Sequence, residues 1–191
     1  MTPVMCRVRL LARPMAAIDC STSTLAIHAA TPLAIDTRIF MDPNHPVIIL
    51  CVEGMQAESE GRLEDARRLF RNAWEARTDD YHASVAAHFV ARQAATHTEK
   101  LHWNQIALDH ADAVADQSVR SFYPSLYLNL GHSHELLGNT ADALRYFLMA
   151  EARLDDMEPG PLGDLVRSGI AAGRARLAEK EAGSFGRGSV R

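Results

Sequence analysis

The densest set of side chains able to do chemistry is His132-Ser133-His134-Glu135. Two imidazoles and a carboxylate could hold a metal ion, but ligands on one helix face need a spacing of three or four. His132 and His134 are two apart and point different ways, and only His132 with Glu135 shares a face. The HExxH pattern is absent, so His134 reads as a packing residue and His132 as a surface-lining one. Asp109, Asp112 and Asp116 fall at i, i+3 and i+7, which is a cation or basic-peptide face or, more simply, a solvated one. His82, His88, His97, His102 and His110 crowd the middle of the chain, which is a pH-responsive patch or, more simply, a set of scattered surface histidines. Cys51 has no histidine and Asn/Asp ordered around it in a nucleophile signature. Trp74 and Trp103 read as packing residues, since a base-stacking platform wants basic neighbours. A glycine-rich strand-loop-helix, a P-loop and GxSxG are all missing. No catalytic residue, metal or cofactor is therefore assigned.

The totals narrow the classes further. The chain has 191 residues, enough for one domain with a sizeable core and tails. Residues 41–155 hold 17 acidic and 10 basic side chains, whereas the overall net charge is −4. An acidic centre argues against nucleic-acid binding, and no apolar run approaches the ~20 residues that span a bilayer. Cys6, Cys20 and Cys51 are odd in number and widely spaced, which implies neither a disulfide framework nor a zinc cluster and suits a reducing cytoplasm.

These candidate residues sit on a succession of helical stripes. Residues 1–45 have no sustained period and are punctuated by Pro3, Pro14 and Pro32; they read as a poorly ordered extension, with Met41 resembling a conventional domain start. From Pro46, Val47, Leu50, Cys51, Gly54 and Ala57 share a face, and Gly61 ends the helix. Leu63, Ala66, Leu69, Phe70 and Ala73 make the next stripe. Asp79 or Asp80 can cap a third helix running to about Ala95, with a turn at 96–98 and a fourth helix from about Glu99 to Ala115. A fifth is entered through Tyr123-Pro124, a sixth ends near Asp155, and a seventh spans 162–182 before a polar tail, 183–191.

Two of these hairpins are copies. Leu50 matches Tyr127, Gly54 matches Gly131, Gly61 matches Gly138, Ala66 matches Ala143, Phe70 matches Phe147 and Ala73 matches Ala150, all at an offset of 77 residues. Leu130 and Gly131 sit on the facing side of the second copy. Two 34-residue units plus nine residues give that offset, with a degenerate unit between them carrying Ala87, Ala91, Leu108 and Ala111 in the packing places. On these residues the chain resembles the tetratricopeptide repeat family, in its short bacterial form, over about 46–155. It departs from that pattern in having no tryptophan to open a repeat, Glu53 where leucine is usual, and Thr78 and Asp155 in place of a closing proline.

The resemblance implies an all-α, right-handed superhelical array of antiparallel helix pairs (46–78, 80–116 and 122–155) with 162–182 as a closing helix. It also implies a groove along the first helix of each pair. Spacing along those helices places Ile48, Cys51, Met55 and Glu58 in it, then His82, Val85, Phe89 and Arg92, then Ser125, Leu128, His132 and Glu135 with Asn129 beside them. The expected function is a protein–protein interaction module that binds a peptide or partner helix, with a homo-oligomer as a possible form. Met55, Val85, Phe89 and Leu128 would supply apolar contacts, and Arg92, Asn129, His132 and Glu135 orientation. The alternative is a small all-α enzyme, including the rRNA adenine methyltransferase label that some similar short bacterial proteins carry. The glycine-rich loop and the Asn/Asp-Pro-Pro-aromatic motif of a methyl-donor site are both missing here.

Overall fold

The computed structural model describes residues 42–187, with side chains as far as residue 182. Of the expected extension 1–45, the part before residue 42 lies outside the described residues, as does the tail beyond residue 187, whereas 42–45 form an ordered turn that ends in the α1 cap, contrary to expectation. Among the described residues the chain is all-helical: α1 (Pro46–Ser59), α2 (Leu63–Glu75), α3 (Asp80–Arg92), α4 (His97–Ala113), α5 (Tyr123–Leu136), α6 (Thr140–Ala152) and α7 (Pro161–Arg187). Short 3-10 turns at Arg120–Phe122 and Leu154–Asp156 flank the third pair. No helix among them is long and apolar enough to cross a membrane.

Consecutive helices pair antiparallel as α1–α2, α3–α4 and α5–α6, and each pair packs on the next through α2–α3, α4–α5 and α6–α7. Direct contacts also join α1 to α3 and α5 to α7. The core follows the duplicated positions. Ala66, Phe70 and Ala73 are fully buried, as are Ala143, Phe147 and Ala150 in the second copy. Both turn glycines hold the left-handed conformation that the αL stop requires, Gly61 at φ 76° and Gly138 at φ 79°.

The two helical glycines show why the code is large against small. A Cβ built on Gly54 would lie 2.3 Å from the Phe70 ring, and one on Gly131 2.6 Å from the Phe147 ring. Phe147 is gripped from a second side as well, because a Cβ on Gly173 of α7 would lie 2.4 Å from it. The middle pair places Ala87 and Leu108, both buried, at the corresponding positions, a methyl group traded for a smaller filler. Leu130 is fully buried, and Tyr127 stacks obliquely on Tyr146 with centroids 6.3 Å apart.

Helix ends differ from the sequence reading where local capping decides them. Asp79 caps α3, its Oδ1 accepting from the His82 N–H at 2.8 Å. α3 stops at Arg92 and α4 begins at His97, two residues before the expected start. The reason is a capping box: Thr96 Oγ1 accepts from the Glu99 N–H at 3.0 Å, while Glu99 Oε2 accepts from the Ala95 N–H at 2.9 Å. α7 runs to Arg187 rather than 182, continuing through both Gly183 and Gly186.

Gly131→Ala should lose about 1–3 kcal/mol in urea unfolding through overpacking against Phe147. Adding Phe147→Leu, the filler size of the middle pair, should recover part of that loss; equal stability of wild type and Gly131→Ala would remove the contact from the packing account.

Candidate functional site

The face expected to form a groove is built from α1, α3 and α5, and the structure divides its residues into three groups. Ile48, Cys51, Val85 and Phe89 are core residues. Phe89 stacks on Phe70 with centroids 5.3 Å apart, so neither it nor Val85 offers the open apolar contact expected of it. Their burial follows from α1 and α2 both packing on α3, which removes that side of α3 from solvent. Burial also pushes the Cys51 thiol well above its ordinary range, away from thiolate chemistry.

The second group is polar and is used within the chain. Glu58 on α1 takes the Arg92 guanidinium of α3, with Nη2 to Oε2 at 2.8 Å and Nε to Oε2 at 3.1 Å, and Gln93 joins the same carboxylate. Glu135 on α5 takes Arg176 of α7 through both oxygens, Nη2 to Oε2 at 2.7 Å and Nε to Oε1 at 2.8 Å, with Lys180 at 3.5 Å. Glu58 and Glu135 are themselves 77 residues apart, so one ion pair recurs between each terminal pair and the helix stacked on it. His132 lies in the second bridge, its Nδ1 3.2 Å from Arg176 Nη2 and its ring edge-on to Phe147. Burial and the nearby guanidinium hold its imidazole below the ordinary value. Asn129 donates to His88 Nδ1 at 3.3 Å, which joins α3 to α5. Burial, with Arg92 beside it, pushes His88 down to about 4, so it is neutral at physiological pH. His82 turns toward His45 and Asp79. Leu128 sits against α7, where a Cβ on Gly169 would meet it at 3.0 Å.

The third group, Met55 and Ser125, stays partly exposed along with portions of Leu128, Asn129 and His132. The face shared by α1, α3 and α5 is thus less accessible and more self-paired than spacing alone predicts. Arg176 and Lys180 were beyond sequence reasoning, because α7 carries no copy of the repeat from which to place them.

The third pair also carries exposed apolar side chains. Leu136, Leu137, Leu144 and Leu148 are between 36% and 50% exposed. A shallow depression of about 480 Å³ runs along α6 between Ala141, Leu144, Arg145, Leu148, Met149 and Ala152. The duplication provides an internal comparison. At the matching positions the first pair carries Ser59, Glu60, Arg67 and Arg71, none of them buried. Packing of the hairpin therefore does not require leucine at these places. The signal was legible in the 77-residue register, which needs to be read for differences as well as for matches.

The polar remainder is accounted for locally. The Tyr123 hydroxyl donates to Asp112 at 2.8 Å and, through burial and that carboxylate, is pushed up to about 12. Gln105 donates to Asp109 at 2.8 Å, and Asp116 accepts from the Ser118 N–H. His134 stacks on Tyr146 at 5.3 Å. Among the described residues no group of three or more His, Cys, Asp or Glu side chains is placed to hold a metal ion.

Arg176→Gln should cost about 1–2 kcal/mol at neutral pH, since it frees a Glu135 carboxylate that is 8% exposed but keeps Lys180 near it. Hydrogen bonds from Arg176 hold Glu135 below its ordinary, unfolded value. The bridge therefore contributes fully above the carboxylate range and less as pH falls through it. The gap between wild type and variant in urea unfolding should narrow below about pH 4; a gap independent of pH would mean that the charge pair contributes nothing.

No family model, no curated protein and no solved structure matches this chain.

Proposed function

We propose that the protein is a protein–protein interaction module, an adaptor, assembly or regulatory scaffold, in which stacked helix pairs present surface to another polypeptide. The observation that carries the reading is the set of exposed leucines at 136, 137, 144 and 148, placed where the duplicate pair has Ser59, Glu60, Arg67 and Arg71. Exposed apolar surface of this kind, not needed by the fold, favours association with a partner. A tetratricopeptide-like, right-handed winding of the pairs would make the opposite face concave. Met55, Ser125, Leu128, Asn129 and His132 would then line a groove for a peptide or helix, with Arg92 and Arg176 at its edge.

Two variants separate the surfaces. Leu144→Arg with Leu148→Arg copies the side chains of α2 onto α6 and leaves the core untouched. Ser125→Arg puts a bulky cation on the inner face. Tagged full-length protein should capture a partner from its own host, and the leucine double variant should lose that partner while far-ultraviolet circular dichroism stays helical. Loss with Ser125→Arg alone would move the contact to the inner face. A partner retained by both variants would end the reading at either surface.

A further inference from the structure

The start of α1 and the start of α3 share one hydrogen-bond network built on two stacked histidines. His45 is the N-cap of α1, and its Nδ1 accepts from the Val47 N–H at 3.3 Å. Its Nε2 lies 3.3 Å from Thr78 Oγ1 in the α2–α3 connection. The His82 ring of α3 lies face to face with it, centroids 3.5 Å apart and planes within 11°. His82 Nδ1 is 2.9 Å from Asp79 Oδ2 and 3.2 Å from Thr78 Oγ1. Asp79 also caps α3.

We propose that this pair is an acid-sensitive latch: protonation of His45 breaks the cap of α1 and loosens its junction with α3. The geometry fixes the tautomer. A ring nitrogen that accepts from a backbone N–H carries no proton, so Nε2 holds the single proton of His45 and donates it to Thr78. A second proton must go onto Nδ1, which then points a donor at a donor. The cap is lost and a cation is created against the face of His82.

The surroundings cannot absorb both charges. From the α2–α3 connection, Asp79 faces the pair, but its two oxygens already accept from the His82 backbone and ring. Arg77, one residue before Thr78, is turned over the Trp74 ring at 3.8 Å. From α3, Tyr81 meets His82 edge-on at 5.4 Å. Before α1, Asp42 takes the His45 N–H on its carbonyl at 3.1 Å and the Asn44 N–H on its side chain. One carboxylate thus serves two imidazoles.

The latch is no requirement of hairpin packing. In the 77-residue register Phe122 stands at the place of His45 and gives α5 no side-chain cap, and Pro159 stands at the place of His82. The pair belongs to the first junction only.

Hydrogen exchange of the full chain at about pH 7.5 and about pH 5, corrected for intrinsic rates, tests the proposal. The Val47–Ile49 amides of wild type should lose protection by roughly five-fold or more on acidification, the size of a typical cap. His45→Asn keeps a capping acceptor that does not titrate and should hold that protection. His88 and His132 are half-buried in both chains and contribute the same acid loss to both, centred on α3 and α5. Equal loss at α1 in both chains, or none in wild type, overturns the latch. Nuclear magnetic resonance of wild type gives a second readout independent of any variant. His45 should be in the Nε2–H form at neutral pH, with the Val47 amide shifting in step with its protonation; an Nδ1–H ring, or an amide indifferent to it, overturns the proposal.

Discussion

A phenyl ring seated where the facing helix has no side chain sets the geometry of both terminal pairs. Phe70 fills the space over Gly54, and Phe147 is held between Gly131 and Gly173. A helical glycine costs ~1 kcal/mol of propensity, and a fully buried phenylalanine returns more than that, ~1.5–3 kcal/mol. What the exchange secures is closeness. With no Cβ between them, α1 meets the α2 ring, and α5 and α7 meet the α6 ring, at a separation that other residue types would widen.

Polar links then join pair to pair. Glu58 with Arg92 and Glu135 with Arg176 are the same interaction made twice, each reaching from the first helix of a pair to the helix stacked on it. The middle junction uses neutral groups instead: Asn104 donates to Ser133 at 2.9 Å, Ser133 to the Asn129 carbonyl at 2.8 Å, and Asn129 to His88. Side chains that a sequence reading would spend on a partner are therefore largely committed to holding the array together.

This division of labour bears on function. Self-pairing leaves the face of α1, α3 and α5 with a few accessible residues, whereas the third pair exposes leucines where its duplicate has one serine and three charged side chains. Duplicated units under the same packing constraint should differ mainly where something other than packing acts on them, and the outer surface of α5 and α6 is such a place. The histidine pair is a second departure from the duplication, confined to the first junction. The exposed leucines and the histidine pair thus lie on different helix pairs, on elements that share a backbone plan and differ in side chains.

The seven helices of the described residues, their pairing and the duplicated core positions were legible in the sequence because they rest on local rules. Period 3.6 marks the buried stripes, glycine marks the stops, and a constant offset of 77 residues identifies equivalent places without coordinates. The Thr96–Glu99 capping box was legible too and sets the α4 boundary two residues earlier than periodicity alone does. Which polar residues remain free was decided only by tertiary structure. Spacing assigns Val85, Phe89, Glu58 and Glu135 to one helix face but does not say what lies opposite. α1 and α2 bury the first two, and Arg92 and Arg176 engage the carboxylates. Helix periodicity is a property of one segment, whereas accessibility belongs to pairs of segments far apart in the chain, and no local pattern in α5 encodes the arrival of α7.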